Sequence, residues 1–173
     1  IEVLKDIGFK DGIIDTTELT SFLGGDNGYV DTWYDQSGNG YNFTQISFDK
    51  QPQIILTGGI LSTLPAVSFD GTDDFLDGGN VLNLGQNTAS GILVNAVAQV
   101  STSGGTIIQK GLGLNSWGIV YGATTLDFIY GDSVSSDTSA TKSPIGSNEI
   151  LTLSVDRRSN RKQYGGFVNN SSY

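Results

Sequence analysis

Apolar and polar positions along this chain alternate over short spans bounded by glycine, a spacing that belongs to strands rather than to long helices. The alternation predicts strands near Val30–Tyr34, Gln53–Leu56, Ala66–Phe69, Ile92–Val100, Thr106–Lys110, Gly118–Tyr121, Leu126–Tyr130, Ile150–Asp156 and Gln163–Val168. Twenty-four glycines against three prolines supply the tight turns between them. One segment departs from this pattern. Asp15 followed three residues later by Glu18 makes a capping box, Leu19, Phe22 and Leu23 form an apolar stripe, and Gly24-Gly25 ends it. That pattern predicts a helix of two or three turns within residues 15–24, covering one end of a sheet structure. The run Ser133–Ser143 is small, polar and aperiodic, and is expected to be an exposed loop.

These elements predict an all-β fold in which two antiparallel sheets pack as a β-sandwich, with one short N-terminal helix. The length of 173 residues and a hydrophobic content of 37% suit a single domain over residues 1–173. The start at Ile1 and the interrupted strand pattern at the end give the expectation that the chain is a segment of a longer one. No stretch reaches the roughly 18 consecutive apolar residues of a membrane-spanning helix.

Charge and composition narrow the chemistry. The net charge of -9 repels phosphate backbones and anionic lipid, so neither nucleic-acid binding nor membrane insertion is expected. With no cysteine and no histidine, the chain cannot supply a Ser-His-Asp or Cys-His pair, a thiolate or a zinc site of the usual kind. Carboxylate chemistry, hard-cation binding or no chemistry remains.

Two acidic turns are distinctive. In Trp33-Tyr34-Asp35-Gln36-Ser37-Gly38-Asn39-Gly40, Asp35 is expected to bond backbone amides of a glycine turn. One of the adjacent aromatics, Trp33 or Tyr34, is expected to face the interior, and Trp33 is read as structural. In Phe69-Asp70-Gly71-Thr72-Asp73-Asp74-Phe75, inward aromatics bracket an acidic turn. Three carboxylates so close together suit calcium, but their spacing is not that of an EF-hand, and a plain turn is the favoured reading. No metal and no cofactor is expected.

A candidate binding surface comes from the later strands, where Trp117, Tyr121 and Tyr130 would form an aromatic platform for sugar rings, with Asn115, Asp127 and Asp132 as hydroxyl partners. The competing reading places two or all three aromatics in the core. Gly111-Leu112-Gly113 lacks a following Gly-Lys-Ser/Thr and reads as a hairpin turn. Arg157, Arg158, Arg161 and Lys162, the sole basic cluster, read as a solvated hairpin tip or a contact for an acidic neighbour in an assembly.

Asp6-Ile7-Gly8-Phe9, the helix from Asp15, Trp33–Gly40, Lys50-Gln51-Pro52-Gln53-Ile54 and Val67–Leu76, in that order, resemble the concanavalin A-like or laminin-G-like lectin modules of phage structural proteins and large secreted bacterial proteins. The resemblance is strongest over residues 6–76, and Ile150–Arg157 is similar to a late strand of such modules. It implies a concanavalin A-like jelly roll. It further implies a non-enzymatic module of a tail fibre, head fibre or capsid decoration at the virion surface. Such a module binds glycans of a host cell surface or packs against other virion subunits, commonly as a homo-oligomer. An accessory carbohydrate-binding or adhesin module of a secreted bacterial protein, extracellular or on the cell surface, is the alternative.

Tyr34–Gly38 is similar also to the catalytic domain of B-type α-L-arabinofuranosidases. Retaining chemistry needs two carboxyl groups about 5 Å apart, yet the segment comparable to that family's nucleophile strand, Ser116–Thr125, holds no Asp or Glu. The three glutamates of the chain, Glu2, Glu18 and Glu149, lie outside mid-strand positions. A non-enzyme is therefore expected.

Overall fold

The computed structural model describes residues 3–57, 64–82, 92–99, 104–111, 116–121, 126–131, 136–139, 149–156, 163–168 and 171–172. The described residues are mostly strand with one α-helix, their sheets are antiparallel, and the chain divides into two compact units, Ile1–Gly79 and Asn80–Tyr173.

The first unit opens with a hairpin of β1 (Phe9–Lys10) and β2 (Ile13–Ile14). Asp11 and Gly12 both take positive φ, 54° and 83°, as a two-residue hairpin turn demands. Helix α1 (Thr16–Leu23) follows. The Asp15 side chain accepts from the N–H groups of Thr17 and Glu18, each at 3.0 Å, so the predicted cap is present. Its reciprocal half is replaced. The Asp15 N–H goes to the Gly8 carbonyl at 2.8 Å, and the Glu18 carboxylate pairs with Lys5 at 3.0 Å. Gly24 closes the helix in the left-handed conformation and donates its N–H to Thr20.

Strands β3 (Gly28–Tyr29), β6 (Gln53–Ile55) and β7 (Ala66–Ser68) form one sheet, with Gly28 opposite Ile54 and Gln53 opposite Ser68. A second ladder pairs β4 (Thr32–Trp33) with β5 (Phe43–Thr44), and Thr44 continues it by exchanging backbone hydrogen bonds with Asp77 at 2.9 Å each. Such short ladders bury little apolar surface. Polar side chains make up the difference: buried Gln51 donates to the Gln45 carbonyl at 2.8 Å, and the Gln45 side chain accepts from the Ser47 N–H at 3.0 Å. Leu19 on the helix and Pro52 are buried as well. Tyr29 and Phe48 meet edge to face, with ring centroids 4.9 Å apart.

The second unit contains two four-stranded sheets. One is ordered β12 (Ser136–Ser139), β11 (Leu126–Gly131), β10 (Trp117–Tyr121), β9 (Gly105–Lys110); the other β15 (Ser171–Ser172), β14 (Gln163–Val168), β13 (Glu149–Asp156), β8 (Ile92–Ala98). Strand β10 is internal, flanked on both sides, and Ser116 through Ile119 are all buried. Gly118 is required by this closeness, because a β-carbon there would stand 2.8 Å from the Ile108 carbonyl oxygen. On β8, Leu93 and Val97 face outward while Val94, Ala96 and Ala98 are half-buried, the alternation of a sheet with two different faces.

Several expectations are corrected. Ser136–Ser139, placed in an exposed loop by its polarity, is a strand paired with β11; the remainder of Ser133–Ser143 lies outside the described residues. Backbone pairing supplies what its side chains do not signal. The strand expected over Val30–Tyr34 is divided, since Val30 donates to Pro52 while Thr32 and Trp33 pair with β5. Lys110 is paired with Trp117, and Asp156 with Gln163. Arg157, Arg158, Arg161 and Lys162 lie outside the described residues.

Candidate functional site

The sequence-predicted platform is taken first. Trp117 has 2% of its surface exposed, and its indole N–H donates to the Leu82 carbonyl at 3.2 Å. It therefore takes the core position weighed against the platform, and a ring so enclosed offers no face to a sugar. Its backbone is paired with Tyr130, and Tyr121 is paired with Leu126. The Tyr121 and Tyr130 side chains, and Asn115 and Asp132 entirely, lie outside the described residues. Asp127, opposite Val120, is half-buried.

A concave surface lies in the first unit instead. A groove of about 640 Å³ is lined by Asp6–Phe9, the β2 residues Ile13 and Ile14, Thr32, Trp33, Tyr34, Gln36, Ile54 and Leu64–Val67. Most of its apolar lining comes from the β1–β2 hairpin, β6 and the segment Leu64–Val67 that runs into β7. Trp33 and Tyr34 are 46% and 47% exposed on it. This corrects the expectation that one of the two would face inward: the ladder of β4 ends at Trp33, so strand alternation does not govern Tyr34. Tyr34 is oriented by its hydroxyl, which donates to the Asp6 carboxylate at 2.9 Å. That hydrogen bond and the Asp6 charge hold the phenol above its usual pKa. Gln36 donates its side-chain amide to the Tyr34 carbonyl at 3.0 Å.

The turn behind these aromatics is held by Asp35. Its carboxylate accepts the Ser37 hydroxyl at 2.7 Å, the Ser37 N–H at 2.8 Å and the Tyr41 N–H at 3.0 Å, while Asn42 accepts the Asp35 N–H at 2.9 Å. These donors, the Ser37 hydroxyl foremost, pull the Asp35 pKa below the ordinary carboxylate value. The rim residues Tyr34 and Gln36 thus leave a rigid, locally satisfied turn, as the sequence anticipated for Asp35.

The second acidic turn is organised in a similar way. Asp70 accepts the N–H groups of Thr72 at 2.8 Å, Asp73 at 3.2 Å and Asp74 at 3.3 Å, and Asp74 accepts the Asp70 N–H at 2.9 Å. The Thr72 amide is the main cause of the lowered Asp70 pKa. One carboxylate oxygen from each of Asp70, Asp73 and Asp74 lies within 4.8 Å of the others. The backbone bonds engage the Asp70 and Asp74 carboxylates, and Lys50 stands 4.0 Å from Asp73. Phe69 and Phe75, expected to point inward, are half-exposed, because β7 ends at Ser68 and both belong to the turn.

The Asp11-Gly12 turn, which joins two strands that line the groove, went unread in the sequence although Asp-Gly is a strong hairpin signal. Among the described residues no helix is long and apolar enough to cross a membrane. In comparisons with known proteins, no family model, no curated protein and no solved structure matches this chain.

Proposed function

We propose that the chain is a non-enzymatic, concanavalin A-like sandwich module displayed at a virion surface, and that it binds host-surface glycan in the groove beside Trp33 and Tyr34. The observation that carries the binding reading is the pair of half-exposed aromatics in an apolar groove, with Asp6, Thr32 and Gln36 as polar groups among them. A pyranose ring has an apolar C–H face that packs on an indole and hydroxyls that need fixed hydrogen-bond partners, and this lining offers both. Among the described residues Asp6 is the one carboxylate in the groove, whereas a retaining glycosidase uses two. That favours binding over hydrolysis. The two four-stranded sheets of the second unit would be the layers of the sandwich. Display on a virion, with other virion subunits or further copies of this chain as neighbours, rests on the resemblance of residues 6–76 to phage and secreted lectin-type modules.

Glycan-array binding by the intact chain, followed by titration of Trp33→Ala and Tyr34→Ala, tests the proposal. The expected result is a sugar-selective signal weakened roughly tenfold or more by either substitution, the size of losing one stacked ring at about 1.4 kcal/mol. Silent arrays would overturn the lectin reading, and a discrete oligomer by light scattering would then favour a packing role. Hydrolysis of an aryl arabinofuranoside, lost on substituting an Asp or Glu of this chain, would replace it with an enzyme.

A further inference from the structure

The chain carries two Asn-Gly pairs, Asn27-Gly28 and Asn39-Gly40, and the fold holds them in opposite ways. Asparagine before glycine is chemically labile, since the following main-chain nitrogen, with no neighbouring side chain to shield it, can attack the asparagine amide carbon. Attack requires that nitrogen to lose its proton and the main chain to swing toward the side chain.

At the first pair neither is free to happen. Gly28 is buried in β3 opposite Ile54, wedged against Leu23 and Ile54. At the second pair both residues are exposed. Gly40 has φ 76° with open space where a side chain would be, and among the described residues its N–H meets no hydrogen-bond acceptor. The Asn39 side chain lies in the Asp35 turn, donating its amide to the Ser37 hydroxyl at 2.8 Å, which in turn donates to Asp35 at 2.7 Å.

We infer that Asn39 is a site of spontaneous covalent modification and that Asn27 is protected from the same chemistry by the fold. The Gly40 nitrogen, its proton taken by hydroxide, bonds to Cγ of Asn39. The Cγ–Nδ2 bond breaks and the nitrogen leaves as ammonia with a proton from water. Water then opens the resulting five-membered succinimide at either carbonyl, leaving aspartate or isoaspartate at position 39; no oxidant or reductant is involved. The product exchanges a donor for a negative charge beside Asp35, and the isoaspartate form adds a methylene to the main chain of the turn joining β4 to β5. The groove residues Tyr34 and Gln36 lie on this same turn, so the modification alters the main-chain segment that carries them.

The experiment is incubation of the full chain at neutral and mildly alkaline pH, followed by peptide mapping and enzymatic methyl labelling of isoaspartate. In the folded chain position 39 should convert at least about tenfold faster than position 27, faster still at the higher pH, and in strong denaturant the two rates should come within about threefold of each other. Asn39→Gln should remove the labelled peptide. Equal rates in the folded chain, or an intact Asn39, would overturn the inference. A difference that persists undiminished in denaturant would also overturn it, by assigning the selectivity to local sequence instead of the fold.

Discussion

The two tryptophans occupy opposite kinds of neighbourhood. Trp117 opens an internal strand, with β9 on one side and β11 on the other, and is enclosed with Ile119. Trp33 ends a two-residue ladder beside a turn and stays half-exposed. Strand neighbours, not residue type, decide which ring is buried: flanking strands on both sides fix the side chains around an indole, whereas one short ladder leaves a flank to solvent. The two units differ in the same sense. Among the described residues, the second buries Trp117 and Ile119 on one strand, and the first adds to buried Leu19 and Pro52 the side chains of Gln45, Gln51 and Asp residues bonded to main chain.

The largest effect that could break this contrast is that of Trp117→Ala, expected to cost about 3–5 kcal/mol through the cavity it leaves, and to leave the Leu82 carbonyl without its indole donor. A melting curve like that of the unsubstituted protein would show the ring to be dispensable. Gln51→Ala comes next. It removes the donor to the Gln45 carbonyl inside the first unit and should cost about 1–3 kcal/mol by denaturant titration. Trp33→Ala should cost under about 1 kcal/mol while weakening glycan binding; a loss comparable to that of Trp117 would mean that the groove is core. The smallest effect sharpens the role of Asp35. Its pKa is depressed in the folded chain, so its contribution to stability is present above the ordinary carboxylate pKa and fades as pH falls through the lowered value. Asp35→Asn should therefore flatten the acid limb of a stability-against-pH curve and leave neutral pH less stable than before.

The helix was legible because its signals are local: an Asp cap, an apolar stripe and a glycine stop lie within residues 15–24. The longer strands were legible because β8, β9, β10, β11, β13 and β14 extend far enough to show a period. Phe9–Lys10, Ile13–Ile14 and Phe43–Thr44 pair over two residues each, too few for alternation to register. Ser136–Ser139 has no apolar residue to alternate. The enclosure of Trp117 was hidden for a different reason. Whether an aromatic is enclosed depends on which strands flank it, and sequence separation hides that: Trp117 is covered by a bond to Leu82, while Trp33 shares its groove with Asp6 and Pro65.

Gly28 sets a clearance between the end of α1 and the sheet: a β-carbon there would lie 2.6 Å from a Leu23 methyl and 2.8 Å from the Ile54 Cγ2. The leucine methyl is the tip of a flexible side chain and can swing aside, but the Ile54 carbon branches at Cβ and has little rotamer freedom. The three positions are consequently free to drift only in concert. Alanine at 28 becomes tolerable once residue 54 loses its branch, so the order in which substitutions arrive decides whether an evolving chain keeps its helix seated.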